Sequence, residues 1–157
     1  MMLNNFIIDF FPVFRTGFEI RTLTANLATR WSYLLENLPC LKEIVVNDEE
    51  FCRDEVRESL LFLQMYMKNA HYGQDRLYGI YNCLFPVLEN NCFVIQTAKK
   101  CGPSAKDVVL EIINQLGVLE FECPQSSVKD VKEILEAIAA MRGEEIHARH
   151  LLKEKEL

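Results

Sequence analysis

Apolar residues recur at spacings of three and four along most of this chain, and that rhythm constrains the fold more than any other feature. A stripe with this period lies on one side of the backbone only if the backbone is α-helical. The chain therefore reads as all-α, with about six helices set out by stripes and punctuation. The first is short, Leu3 to Phe11, and stops near Pro12. The second runs from about Phe18 to Leu38, with Ile20, Leu23, Leu27, Trp31, Leu34, Leu35 and Leu38 on its stripe and Pro39 beyond its end. A third begins after Asn47-Asp48, either of which can cap it, and reaches about Asn69. Its second half, residues 60–67, is apolar almost all round, which marks a helix that is buried or touches something on a second face.

Gly73 breaks the chain, and a fourth helix is expected from about Gln74 to Asn90, kinked or restarted at Pro86. Asn90-Asn91 reads as a turn before a short helix, Cys92 to Lys100, which closes at Cys101-Gly102. Ser104 is the expected cap of a fifth helix ending at Gly117. The segment 118–124 alternates apolar and acidic residues. A packed loop suits it better than a lone strand with nothing to pair with. The last helix opens at Ser126 or Ser127, with Val128, Val131, Ile134, Leu135, Ile138 and Met141 on its stripe, and Gly143 interrupts it.

Taken in sequence, the helices form pairs of roughly 40 residues, the period of HEAT and armadillo arrays. Over about residues 18–142 the chain resembles such a stack in architecture, without a consensus that aligns from one repeat to the next. An irregular helical bundle is the neighbouring reading. A Bcl-2-like fold would carry an Asn-Trp-Gly-Arg type of sequence, whereas Trp31 lies in Thr29-Arg30-Trp31-Ser32. The expected organisation is one helical domain over 1–142, followed by a charged helical extension, 143–157, that could lead into or out of a coiled coil. The doubled Met, the abrupt apolar start and the charged finish suggest a domain cut from a longer protein.

Charge and cysteine usage narrow the function classes. The formal net charge is −6 and the sequence pI about 5.1, so the chain lacks the basic surplus of a protein that tracks nucleic-acid phosphates. The acidity is local: residues 48–72 hold six acids against three bases. No stretch approaches the roughly 18 uncharged residues that span a bilayer, and the N-terminal segment lacks a basic start and a small-residue cleavage site. Six cysteines, Cys40, Cys52, Cys83, Cys92, Cys101 and Cys123, allow a disulfide reading. Because most lie within apolar helical patterns, buried reduced thiols are the expectation, and with them an intracellular, cytoplasmic or nuclear location. None is spaced CxxC, as a zinc ribbon needs.

Motifs for chemistry are sparse. The six glycines form neither GxGxxG nor a Walker pattern, and no serine sits in a nucleophile elbow. A Cys83–His71 pair is the one thiol arrangement to consider. Glu144, His147 and His150 stand three apart, which places them on one helix face as metal ligands would be, but the second ligand-bearing helix that a di-metal bundle needs is missing. No cofactor and no metal are expected, and a metal-dependent helical enzyme built on that cluster is the alternative class.

The leading expectation is a non-enzymatic interaction module that binds a partner helix or peptide, or a second copy of itself. Its surface would be Phe62, Met65, Tyr66, Met67, Tyr72, Tyr78 and Tyr81, because Met and Tyr are enriched at interfaces. Asp48, Glu49, Glu50, Asp54, Glu55 and Glu58 would steer a basic partner toward it.

Overall fold

The protein is represented by a computed structural model that describes residues 28–68, 72–116 and 123–143 together with Ile146 and Leu152, the side chains at 28–31, 34, 49, 115 and 116 apart. The expected helix at 3–11 and the start of the second lie outside these residues, as do Gly117 and most of the segment 118–124. Among the described residues there are four helices and no strand: α1 Ala28–Lys68, α2 Gln74–Cys101, α3 Pro103–Leu116 and α4 Gln125–Arg142. The all-α class is as expected. The number and boundaries of the helices differ in instructive ways.

The second and third expected helices are one continuous helix, α1, of 41 residues. Pro39 lies inside it, on the solvent side together with Leu35. The carbonyl that a proline deprives of its donor belongs to the residue four positions earlier, here Leu35, on a face open to water. On the opposite face Leu41, Ile44, Cys52, Val56, Leu63 and Met67 carry one buried stripe across the expected break. Asp48 does not cap a new helix. Its carboxylate accepts a 2.7 Å hydrogen bond from Lys100 Nζ.

α2 likewise runs unbroken through Pro86 and Asn90-Asn91. The amide of Asn90 is not spent on a turn: Nδ2 donates to the Pro86 carbonyl at 2.7 Å, and both asparagines are buried. With these two fusions, the helix pairs behind the repeat reading are not the pairs observed. The other punctuation behaves as read. Gly102 ends α2 with φ 91° and Gly143 ends α4 in the left-handed region, φ 65°, its N–H donating to the Ala139 carbonyl. The caps shift by a residue or two: α3 begins at Pro103, a favoured first position, rather than after Ser104, and α4 begins at Gln125 with Ser127 already buried.

The cysteines require the main correction. None is a free thiol: Cys40 is bonded to Cys101, Cys52 to Cys92 and Cys83 to Cys123. Residue order reverses across the first two bridges, so α1 and α2 run antiparallel and are stapled twice. The third ties α2 to the residue before the α4 cap. Apolar surroundings suit a half-cystine as well as a thiol, so helical patterning alone cannot tell the two apart. In the chain-entropy account, a loop of 40 or 61 residues closed by one bridge stabilises the fold by about 4 kcal/mol. The Cys52–Cys92 loop lies within the Cys40–Cys101 loop, so their joint contribution is below the sum.

Every bridge includes α2, and α2 packs on α1, α3 and α4. It is the centre of the fold. Its buried residues occupy all sides of its middle, from Ile80 to Thr97. α4 approaches closely at Gly79, where an added Cβ would lie 2.5 Å from Ser127 Oγ. Ile146 and Leu152 belong to the same buried core, so the core draws on residues beyond Gly143. No helix among the described residues is long and apolar enough to cross a membrane.

Candidate functional site

The residues expected to form a Met/Tyr surface divide between the core and the solvent. Successive residues of a helix are 100° apart, so the end of α1 cannot turn all its large side chains the same way. Leu63 and Met67 face inward, Met67 at 7% exposure, and Met67 is therefore a core residue rather than a contact residue. Met65 is 65% exposed, and Tyr66 is exposed beside it. Phe62 is half-buried, its ring centroid 6.3 Å from that of Tyr66. Tyr72 and Tyr81 are also half-buried against the core, while Tyr78 is 70% exposed. The Arg76 guanidinium lies over the Tyr72 ring at 4.7 Å, a cation–π contact that holds the chain entering α2.

Leu61 and Phe85 are exposed near these residues and were not singled out. Leu61 lies one turn before Met65, and Phe85 lies two turns after Tyr78. The i+4 and i+7 spacings are the signal that could have found them. Met141, expected on the buried stripe of the last helix, is exposed.

Most of the acids read as steering groups are already engaged. Asp48 binds Lys100, as described, and Asp54 pairs with Arg57 at 3.1 Å on the surface. Arg142, the last residue of α4, reaches across to α1. Its Nη2 donates to Glu55 Oε2 at 2.8 Å and lies 3.6 Å from Glu58, and its Nη1 donates to Ser59 Oγ at 2.9 Å. Glu50 remains exposed, and Glu49 lies outside the described side chains. The acidic stretch thus fastens α1 to α2 and α4 as well as charging the surface.

A half-buried ion pair joins α2 to α4. Arg76 Nε and Nη2 donate to the two carboxylate oxygens of Asp130 at 2.7 and 2.6 Å, a bidentate geometry. Those hydrogen bonds hold the Asp130 carboxyl below the usual carboxylate range, against the opposing effect of its burial, and they raise the Arg76 guanidinium in turn. The arrangement is structural: both charges are satisfied by each other, and Asp130 is nearly inaccessible.

A cleft with room for about 50 Å³ opens where α1, α2 and α4 meet. Phe51, Val56, Leu88, Ile95 and Ile138 wall it, and Glu55, Ser59, Asn91, Gln96, Lys99 and Arg142 supply its polar groups. These residues are scattered over three helices, and no local motif joins them, so the sequence reading does not reach this site.

The other sequence candidates carry no site here. Cys83 is half of a disulfide and offers no thiol for His71, which is itself outside the described residues. Glu144, His147 and His150 also lie outside them. Among the described residues no three His, Cys, Asp or Glu side chains are grouped to hold a metal ion. No family model matches the chain, and no curated protein or solved structure matches it either.

Proposed function

We propose that this chain is a non-enzymatic protein–protein interaction module, a disulfide-stapled helical scaffold that offers the end of α1 and the start of α2 to a partner helix or peptide. The observation that carries the reading is the exposure of Leu61, Met65, Tyr66 and Tyr78 on helices that two disulfides clamp together. Large apolar side chains on a rigid support lose little freedom when they bind, which is the condition for an anchor that contributes strongly to affinity. Phe62, Tyr72 and Tyr81 support that surface from below. Glu50 is exposed, and Asp54 and Glu58, though paired with Arg57 and Arg142, are exposed as well, so these three acids are the ones placed to attract a basic partner. Three disulfides favour maturation in an oxidising compartment over the intracellular location that the thiol reading suggested. A stack of HEAT-like pairs does not enter this reading, because the unit that matters is the stapled α1–α2 pair.

The test is a photo-crosslinking residue placed at Tyr66 and, as control, at exposed Glu136, in the full chain. The expected result is a product, with another protein or a second copy, from position 66 alone. Loss of that product in a Leu61→Ala, Met65→Ala variant would support the placement. Equal products from both positions, or none from either, would overturn it.

A further inference from the structure

We propose that the Cys40–Cys101 bridge is a redox-modification site, which a dithiol reductant opens while the other two bridges stay closed, and that its opening releases the start of α1 from α2. The three bridges differ in burial. Cys52 and Cys92 are 6% and 8% exposed, and Cys83 and Cys123 are 0% and 3% exposed. Cys40 and Cys101 are both half-buried, so theirs is the most open of the three bridges. Thiol–disulfide exchange needs a thiolate to reach a bridge sulfur, and access therefore selects the bond that is attacked. Position adds to access: Cys101 is the last residue of α2, and a Cβ built on the adjoining Gly102 would meet open space.

What this bridge holds is local. Ahead of Leu41, none of the described side chains of α1, at residues 32, 33 and 35–40, is buried, whereas Leu41 and Ile44 are each 1% exposed. The inward stripe thus begins one residue after Cys40, and the bridge is the covalent tie between the helix start and α2. Pro39 also removes the donor for the Leu35 carbonyl within that stretch, which weakens it further. Beyond Cys40, the Lys100–Asp48 ion pair and the buried Cys52–Cys92 bridge keep the rest of α1 on α2. In the exchange, one thiolate of the dithiol bonds to a bridge sulfur and expels the other as a thiolate, which takes a proton from water. The second thiol of the dithiol, deprotonated, then closes its own disulfide and displaces the first sulfur. The bridge gains two electrons and two protons, and the dithiol is oxidised to a disulfide. The site lies toward the opposite end of α1 from the interaction surface, so this proposal does not depend on that surface.

The experiment exposes the full chain, with its three bridges formed, to graded dithiothreitol without denaturant. Freed thiols are alkylated with iodoacetamide and located by peptide mass, and amide hydrogen exchange is followed on the same samples. The expected result is alkylation of Cys40 and Cys101 at least about tenfold faster than of the other four cysteines. Exchange should then rise about tenfold at residues 32–40 and stay unchanged at residues 80–97. A Cys40→Ser, Cys101→Ser chain that has never met reductant should show the same local rise. Opening of another bridge first, of all three together, or of none short of unfolding would overturn the site. Opening of Cys40–Cys101 with no change at residues 32–40, or with faster exchange throughout the chain, would overturn the local release.

Discussion

Residues 60–67 at the end of α1 and residues 86–97 in the middle of α2 exchange the environments that their compositions imply. The first stretch has a single polar residue, Gln64, yet Leu61, Met65 and Tyr66 stand in solvent. The second contains Glu89, Asn90, Asn91, Gln96 and Thr97, yet none of its residues is exposed. Position explains the exchange. α2 has α1, α3 and α4 around it, whereas at the end of α1 Leu63 and Met67 face the core and Leu61, Met65 and Tyr66 are turned away from it. The polar residues of α2 tolerate burial because Asn90 and Thr97 return their donors to carbonyls four residues earlier in the same helix. The contrast teaches that an apolar segment left in solvent calls for a functional reading.

The largest expected effect comes from cutting the link between the two helices that carry these stretches. Replacing Cys52 and Cys92 together by alanine should cost about 3 kcal/mol in denaturant unfolding, less than for an isolated bridge because the enclosing Cys40–Cys101 bridge remains. A loss under about 1 kcal/mol would mean that packing alone seats α2 at the centre. Next, Val94→Ala, which opens a cavity in the α2 middle, should cost about 2 kcal/mol, while Leu61→Ala on the exposed turn of α1 should stay within about 0.5 kcal/mol. Equal costs would erase the contrast.

Gly79→Ala should destabilise by about 1 kcal/mol, despite the better helix propensity of alanine, because its methyl meets Ser127 Oγ where α4 lies against α2. Adding Ser127→Ala should restore the loss, and failure to do so would move the cause elsewhere. The smallest effect is that of pH on the Arg76–Asp130 pair. The Asp130 carboxyl titrates lower in the folded chain than in the unfolded one, so its stabilisation is complete above about pH 4 and is lost as pH falls through the folded value. Asp130→Asn should therefore be less stable than the parent at neutral pH, with the gap closing in strong acid. A gap that persisted in acid would assign the effect to packing.

Much of the helical plan was legible. The stripes of α3 and α4, and the stops at Gly73, Gly102 and Gly143, depend on neighbours within a few residues of one another. The errors at Pro39, Pro86 and Asn90-Asn91 share a cause. Each is a local signal to stop that a buried stripe on the opposite face, or a side chain bonded to its own helix, overrode. Of the expected surface, Met65, Tyr66 and Tyr78 were legible as large apolar residues. The inward turn of Met67 was not, because nothing in an all-round apolar stretch says which side meets the core.

By itself the sequence determined that the backbone would be helical and where glycine would end its helices, since both are settled by the geometry of adjacent residues. Only the tertiary structure decided that α1 and α2 run unbroken, that six cysteines join in pairs 40 to 61 residues apart, and that Gln96 and Lys99 face a shared cleft. Those outcomes rest on groups brought together from distant parts of the chain, and a 3.6-residue period carries no information about which distant face a helix will meet.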